Sequence, residues 1–213
     1  AYVDTTSLNM GGAMAKVGTP SESKILAKFQ AERGPIGDYE CDGKWSILYT
    51  RKLSHFVQIL DFVPSIKDEA GNKCEPSELK RLSFASADHR DVFLAILNSS
   101  VFYWLLTVYS DCRNLNRREI GFVRFNFSSP SAAGDVAELR DISRELMADV
   151  RANSKVVAMR YKKRGELRIQ CTYPKFSKSI IDQIDHVLGR HLGMTPSEID
   201  FIVNYDIKYR MGQ

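Results

Sequence analysis

Apolar residues recur along this chain in two rhythms, and the switches between them mark its elements. From Gly43 to Ile66 the pattern is aromatic and β-branched, with Trp45, Ile47 and Tyr49 followed by Phe56, Val57, Ile59, Phe62 and Val63. Such residues favour strands, and Pro64 ends the run. Asp68-Glu69-Ala70-Gly71-Asn72 reads as a turn-forming loop, and Leu79 to Ala85 alternates again as a short strand. Ser86 then predicts an N-cap, with Asp88 in the first turn of a helix that buries Val92, Phe93, Ile96 and Leu97. Asn98-Ser99-Ser100 ends that helix and caps the next, which carries Phe102, Trp104, Leu105 and Val108.

A polar, basic loop follows from Ser110 to Ile120, and Gly121 to Phe127 alternates as a strand before Ser128-Ser129-Pro130-Ser131 breaks the chain. Asp135 to Asn153 has the 3.6-residue period of an amphipathic helix, with Val136, Leu139, Ile142, Leu146 and Val150 on one face. Lys155–Tyr161 and Glu166–Tyr173 read as two strands of a hairpin around Lys162-Lys163-Arg164-Gly165. Ser177 is placed to cap a helix running through Leu192, with Gly193 at its C′ position. Thr195-Pro196-Ser197-Glu198 is a capping box that starts another helix. Helices and strands interleave without a βαβ rhythm, so the expected fold is α+β, with mixed strands, amphipathic helices and a C-terminal helical pair.

Residues 1–40 are rich in Gly, Ser, Thr and Pro and hold one short helical pattern, Ser23 to Ala31; they read as a connector. Residues 41–213 would form the main domain, with a possible subdivision near 128–134. The 213 residues suffice to bury a core without staples. Cys41, Cys74, Cys112 and Cys171 are widely spaced, which fits free thiols in a reducing, cytoplasmic setting better than a disulfide framework or a zinc knuckle. No signal-peptide pattern opens the chain, and its start, Ala1-Tyr2-Val3, suggests a piece of a longer protein. Val92 to Val108 has no charged residue, yet the Asn-Ser-Ser break at its middle favours a buried helix pair over a membrane span.

Catalytic motifs are missing. There is no G-x-G-x-x-G or Walker A loop, no G-x-S-x-G elbow and no H-E-x-x-H pair. His89-Arg90-Asp91 copies a kinase tripeptide without the partners that give it meaning. His186 and His191 are five apart and point away from each other on a helix, and Glu22-Ser23-Lys24 is off any strand.

Charge is what rises above background. The formal net charge is only +4, but Lys155 to Lys178 holds eight cations (Lys155, Arg160, Lys162, Lys163, Arg164, Arg168, Lys175, Lys178) and one anion, Glu166, for a local +7. Ile180 to Asp206 holds one cation and five anions, for a local −4. A concentrated positive segment is the footprint of phosphate-backbone binding; the plain alternative is a solvated hairpin whose lysines block edge pairing. In the second basic loop Arg113, Arg117 and Arg118 stand with Asn114 and Asn116, the side-chain types that read guanine and adenine edges bidentately. Its plain alternative is a connection in which one Arg pairs Asp111 or Glu119 and the asparagines make local turns.

The run Leu94-Ala95-Ile96-Leu97-Asn98-Ser99-Ser100-Val101-Phe102-Tyr103-Trp104, then Ser110-Asp111-Cys112-Arg113-Asn114-Leu115 and Arg118-Glu119-Ile120, resembles the C-terminal region of adenine-specific DNA methyltransferases of restriction-modification systems, including the combined restriction-methylation type. The tail is similar to the end of the same proteins, through Tyr173-Pro174-Lys175, Ser177-Lys178, Ile181-Asp182-Gln183-Ile184-Asp185 and Asn204-Tyr205-Asp206-Ile207-Lys208-Tyr209-Arg210. The family's Gly-rich S-adenosylmethionine turn and its Asn-Pro-Pro-aromatic tetrapeptide are both missing from this chain.

The resemblance therefore implies the target-recognition part of such an enzyme. It implies double-stranded DNA as partner, no catalytic or cofactor residue here, and a catalytic domain upstream in the same chain that binds S-adenosylmethionine and flips the target adenine. Lys162, Lys163 and Arg164 would contact phosphates, and the loop of Arg113, Asn114, Asn116, Arg117 and Arg118 would read bases. The alternative is an assembly module of a restriction-modification complex that uses Tyr103-Trp104 as an apolar anchor. Aromatics at helical spacing more often pack inside.

Overall fold

Thr19 opens the first helix of the computed structural model, which describes residues 5–53 and 55–212. The Glu22 N–H donates to Thr19 Oγ1 at 3.2 Å and the Thr19 N–H to Glu22 Oε2 at 2.9 Å, with Pro20 at the first helical position. This capping box starts α1 at Pro20 rather than Ser23, and the helix spans Pro20–Ala31. Leu8, Ala13, Ala15, Ile25, Leu26, Phe29 and Ile36 from this first segment are buried in the same core as the rest of the chain. Ala1-Tyr2-Val3 lies outside the described residues.

Four strands follow: β1 (Glu40–Thr50), β2 (Ile59–Leu60), β3 (Ile66–Lys67) and β4 (Leu79–Phe84). They belong to two antiparallel sheets. The first has the order β2-β1-β4, and β1 bulges so that Glu40 and Trp45 both face Phe84. Gly43 sits in that bulge, and a Cβ there would lie 2.0 Å from the Phe84 carbonyl oxygen, so no larger residue fits without moving backbone.

The helical layer begins with α2 (Ala87–Asn98) and α3 (Ser100–Tyr109). Ser86 Oγ accepts the N–H groups of Asp88 and His89, and Ser99 Oγ accepts that of Phe102, so each helix has the serine cap the pattern predicts. The two helices bend by 64° at their junction. Residues Asp91 to Leu106 are all buried, so the uncharged stretch runs through the core. Among the described residues no single helix is long and apolar enough to cross a membrane.

The loop after α3 contains a helical turn, α4 (Arg117–Ile120). The strand expected over Gly121–Phe127 does not form. Phe122, Val123 and Phe125 are buried, but the segment pairs with the Gly34–Ile36 loop: the Ile36 N–H reaches the Val123 carbonyl at 2.9 Å, and the Phe125 N–H that of Gly34 at 2.9 Å. Burial produced the apolar spacing there, without a neighbouring strand to complete a ladder.

Next come α5 (Ala132–Ala152), the hairpin strands β5 (Lys155–Tyr161) and β6 (Gly165–Cys171), then α6 (Lys178–His191), α7 (Pro196–Val203) and α8 (Ile207–Met211). Ser177 does not cap α6 with its side chain; its hydroxyl donates to Asp149 Oδ2 at 2.6 Å and so ties α6 to α5. Thr195 and Glu198 form the expected capping box of α7. The helices pack as α2 on α5, α5 on α6, and α6 on α3 and α7. The first sheet packs on α2, whereas the second, ordered β3-β6-β5, packs chiefly on itself. The fold is thus α+β, with a helical body and two small antiparallel sheets.

Candidate nucleic-acid interface

The second sheet carries the basic hairpin. Its strands pair in register from Lys155↔Cys171 to Tyr161↔Gly165, which leaves Lys162, Lys163 and Arg164 as a three-residue loop. Gly165 closes the turn at φ +70°, a conformation open to glycine and strained for other residues. Glu69 reaches in from the neighbouring loop, and its Oε1 accepts the Glu166 N–H at 2.8 Å. Along β5 every residue is exposed except Val157, which is half-buried. The tip opens into a depression of about 480 Å³ lined by Arg160, Tyr161, Lys162 and Gly165.

The electrostatics of this ribbon differ from those of the helical body. On α5 and α6 the arginines are paired: Arg140 with Asp88 and Asp141, Arg144 with Asp91 and Asp141, Arg151 with Asp61, and Arg190 with Asp135 and Glu138. Among the described residues, Lys178 is the one of the eight cations between Lys155 and Lys178 with a carboxylate partner, Asp182. Lys155, Arg160, Lys162, Lys163, Arg164, Arg168 and Lys175 form no ion pair among the described residues. Their charge is therefore directed at solvent, and a polyanion is the ligand such a surface attracts most strongly.

The second basic loop has a different character. Arg117 pairs with Glu40 of β1, and Arg118 donates to Glu119 Oε1 from Nε at 3.0 Å and Nη2 at 2.8 Å. Glu119 is buried and also accepts the Asn116 N–H at 2.8 Å on Oε2. Asn116 Oδ1 in turn accepts from Arg51 Nη2 at 3.0 Å. Three of the five residues proposed for base reading are thus engaged in holding the loop. Arg113 and Asn114 are exposed, and the Arg113 side chain has no partner among the described residues.

The structure adds two cations that the local pattern missed. Asn114 bridges to Lys52 and the Leu115 N–H bonds to the Arg51 carbonyl, so the exposed Arg51 and Lys52 flank Arg113. Neighbouring basic residues in sequence could have drawn attention to Arg51-Lys52, but their meeting with residue 113 depends on the fold.

Other candidate chemistry is accounted for within the fold. His186 Nδ1 lies 2.7 Å from the carbonyl of Asp182 on its own helix, while His191 Nδ1 lies 2.8 Å from Asp135 Oδ2. No group of three or more His, Cys, Asp or Glu among the described residues is placed to hold a metal. Tyr39 and Phe127 pack edge-on against His89, and burial holds the His89 imidazole below its usual pKa. Trp104 is fully buried between Phe29 and Phe201, and Tyr103 is 9% exposed, which leaves neither as a free anchor. The paired glycines Gly11 and Gly12 lie within a turn closed by a Met10–Ala13 bridge, not between a strand and a helix as in a nucleotide-binding turn. Compared with protein-family models, with curated proteins and with solved structures, the chain has no match.

Proposed function

We propose that this chain is the DNA target-recognition part of an adenine-specific DNA methyltransferase of a restriction-modification system. In this reading it grips double-stranded DNA while a catalytic domain upstream in the same chain holds S-adenosylmethionine and receives the flipped adenine. The observation that carries the reading is the β5–β6 ribbon, in which six cations (Lys155, Arg160, Lys162, Lys163, Arg164 and Arg168) have no carboxylate partner among the described residues. Such charges gain most from phosphates, because each contact releases condensed counterions from the duplex. Arg113 and Asn114 are the side chains of the second loop left free to reach base edges, and Arg is suited to the O6 and N7 atoms of guanine. Arg117, Arg118 and Asn116 then serve to hold that loop in place.

The test is the salt dependence of duplex binding, read by fluorescence anisotropy with a labelled 30-bp duplex between 50 and 300 mM salt. The chain binds, and its affinity falls by roughly 0.9 in log K per unit log salt for each phosphate contact. Lys162→Gln, Lys163→Gln and Arg164→Gln together lower that slope by about 2.7. Absence of binding at 50 mM salt overturns the reading.

A further inference from the structure

The hairpin tip is not the whole of the basic surface, because sheet register brings in two lysines from about a hundred residues earlier. Lys67 of β3 lies directly opposite Arg168 of β6, and Lys73 lies directly opposite Lys67 on the other side. Residues directly opposed in a sheet project from the same face, about 4.8 Å apart. Lys73, Lys67 and Arg168 therefore form one row of three cations across the sheet, about 10 Å long. Arg168 is in turn opposite Ala158, and Arg160, two residues along β5, adds a fourth cation to the same face. All four are exposed, and none forms an ion pair among the described residues.

The other face is different in kind. Its middle carries Ile66, Val157, Met159, Leu167 and Ile169, with Leu167 only 5% exposed, and the exposed Lys155 stands at the end away from the tip. One side of the sheet is thus apolar and partly covered at its centre, and the other has basic residues at its centre and the exposed Val156 at its end. Like charges placed directly opposite one another destabilise a sheet. On the basic face the anion in register is Glu166, opposite Arg160 at the tip end, so the row of three has no anion within it. An external polyanion would relieve that repulsion. Duplex DNA presents one charge per about 1.7 Å of axis, so a row of about 10 Å faces roughly six phosphate charges.

We infer that the face of the β3–β6–β5 sheet bearing Lys73, Lys67, Arg168 and Arg160 is a docking surface for the phosphate backbone of duplex DNA, continuous with the Lys162–Arg164 tip. This rests on the DNA-binding reading above and assigns the contact to a second set of residues.

The test compares two triple variants of the 213-residue chain in the anisotropy titration. One neutralises the row (Lys67→Gln, Lys73→Gln, Arg168→Gln), and the other the tip (Lys162→Gln, Lys163→Gln, Arg164→Gln). Removing three phosphate contacts from the row lowers the salt slope by about 2.7 in log K per unit log salt. The thermal unfolding midpoint of the row variant stays level or rises, since a repulsion has been removed. If the tip variant loses slope while the row variant keeps the wild-type value, the docking face is wrong and the DNA-binding reading stands. If the wild-type chain binds no duplex at 50 mM salt, both fail. If polyglutamate at equal charge concentration displaces the duplex fully, the surface takes acidic protein instead, and the assignment to DNA is overturned.

Discussion

The Oδ1 atom of Asp185 accepts the backbone N–H of Ser100 at 2.8 Å, so a carboxylate on α6 caps the first turn of α3. It also accepts the Val101 N–H at 3.2 Å, while Oδ2 has no hydrogen-bond partner among the described residues. Asp185 is 1% exposed, and Arg210, 3% exposed, donates to Ser100 Oγ at 2.8 Å from the other side. The Arg210 guanidinium stacks over Phe56 and Tyr103, which closes the junction of α3, α6 and α8.

This junction makes stability depend on pH. Burial pushes the Asp185 carboxyl up to about 6, against the opposing pull of hydrogen bonds from Ser100 and Val101 and the charges of Lys178 and Arg210. The folded protein therefore holds this proton more tightly than the unfolded chain, whose value is about 3.9. The resulting stabilisation is fully present below pH ~4 and is lost as pH rises through about 6. It amounts to no more than about 3 kcal/mol. Asp185→Asn removes the titration, so the variant gains on the wild type in urea-unfolding free energy between pH 4 and 7. A gap between the two proteins that stays constant with pH would rule this out.

Asn98 shows how a residue that ends a helix can also hold a strand. Its Oδ1 accepts the Ile59 N–H at 3.2 Å and its Nδ2 donates to the Ile59 carbonyl at 3.0 Å, so the amide completes the hydrogen bonding of two-residue β2. Asn98→Ala leaves both groups of the fully buried Ile59 unmatched. At about 1–3 kcal/mol for each of the two stranded groups, the expected cost is roughly 2–6 kcal/mol by urea unfolding. Asn114→Ala, on an exposed loop, stays within about 0.5 kcal/mol of wild type.

These two asparagines illustrate what sequence can tell. Ser86, Ser99 and Thr195 were readable as caps because capping chemistry acts within three or four residues, and α2, α3, α5 and α7 follow from it and from a 3.6-residue period. The basic hairpin was readable for the same reason. Alternation over Gly121–Phe127 announced burial but not the partner, which turned out to be the Gly34–Ile36 loop. The Lys73–Lys67–Arg168 row was out of reach, since it depends on the register between segments about a hundred residues apart. Asn98 signalled only a helix end, because its bond to Ile59 spans 39 residues.

Arg113 and Arg118 separate binding from loop support. Arg118→Ala leaves the buried Glu119 carboxylate without its cation, so it costs about 1–3 kcal/mol of stability and lowers the unfolding midpoint. Arg113→Ala removes an exposed side chain with no partner among the described residues and stays within about 0.5 kcal/mol. If Arg113 reads a base, its loss weakens binding to the cognate duplex by about 1–3 kcal/mol and relaxes preference at one position. Equal binding by wild type and Arg113→Ala across a randomised duplex library removes Arg113 from base reading.

Gly189 sets how closely α6 approaches α7. A Cβ at this position would meet Ile199 Cγ1 at 2.5 Å and Cδ1 at 2.6 Å, so the two helices touch where one of them has no side chain. Helix propensity alone would make Gly189→Ala stabilising by about 1 kcal/mol. The steric term opposes it, since inserting a methyl into a packed contact costs typically about 1–3 kcal/mol. The net expectation is a destabilised protein by thermal and urea unfolding. Ile199→Ala leaves a gap of its own but takes away the atoms that Cβ would strike. In a double-mutant cycle the pair is therefore less destabilised than the sum of the single variants, with a coupling of roughly 1 kcal/mol or more. Strict additivity would mean that α7 shifts freely and that the close approach at Gly189 does not hold the C-terminal helices in place.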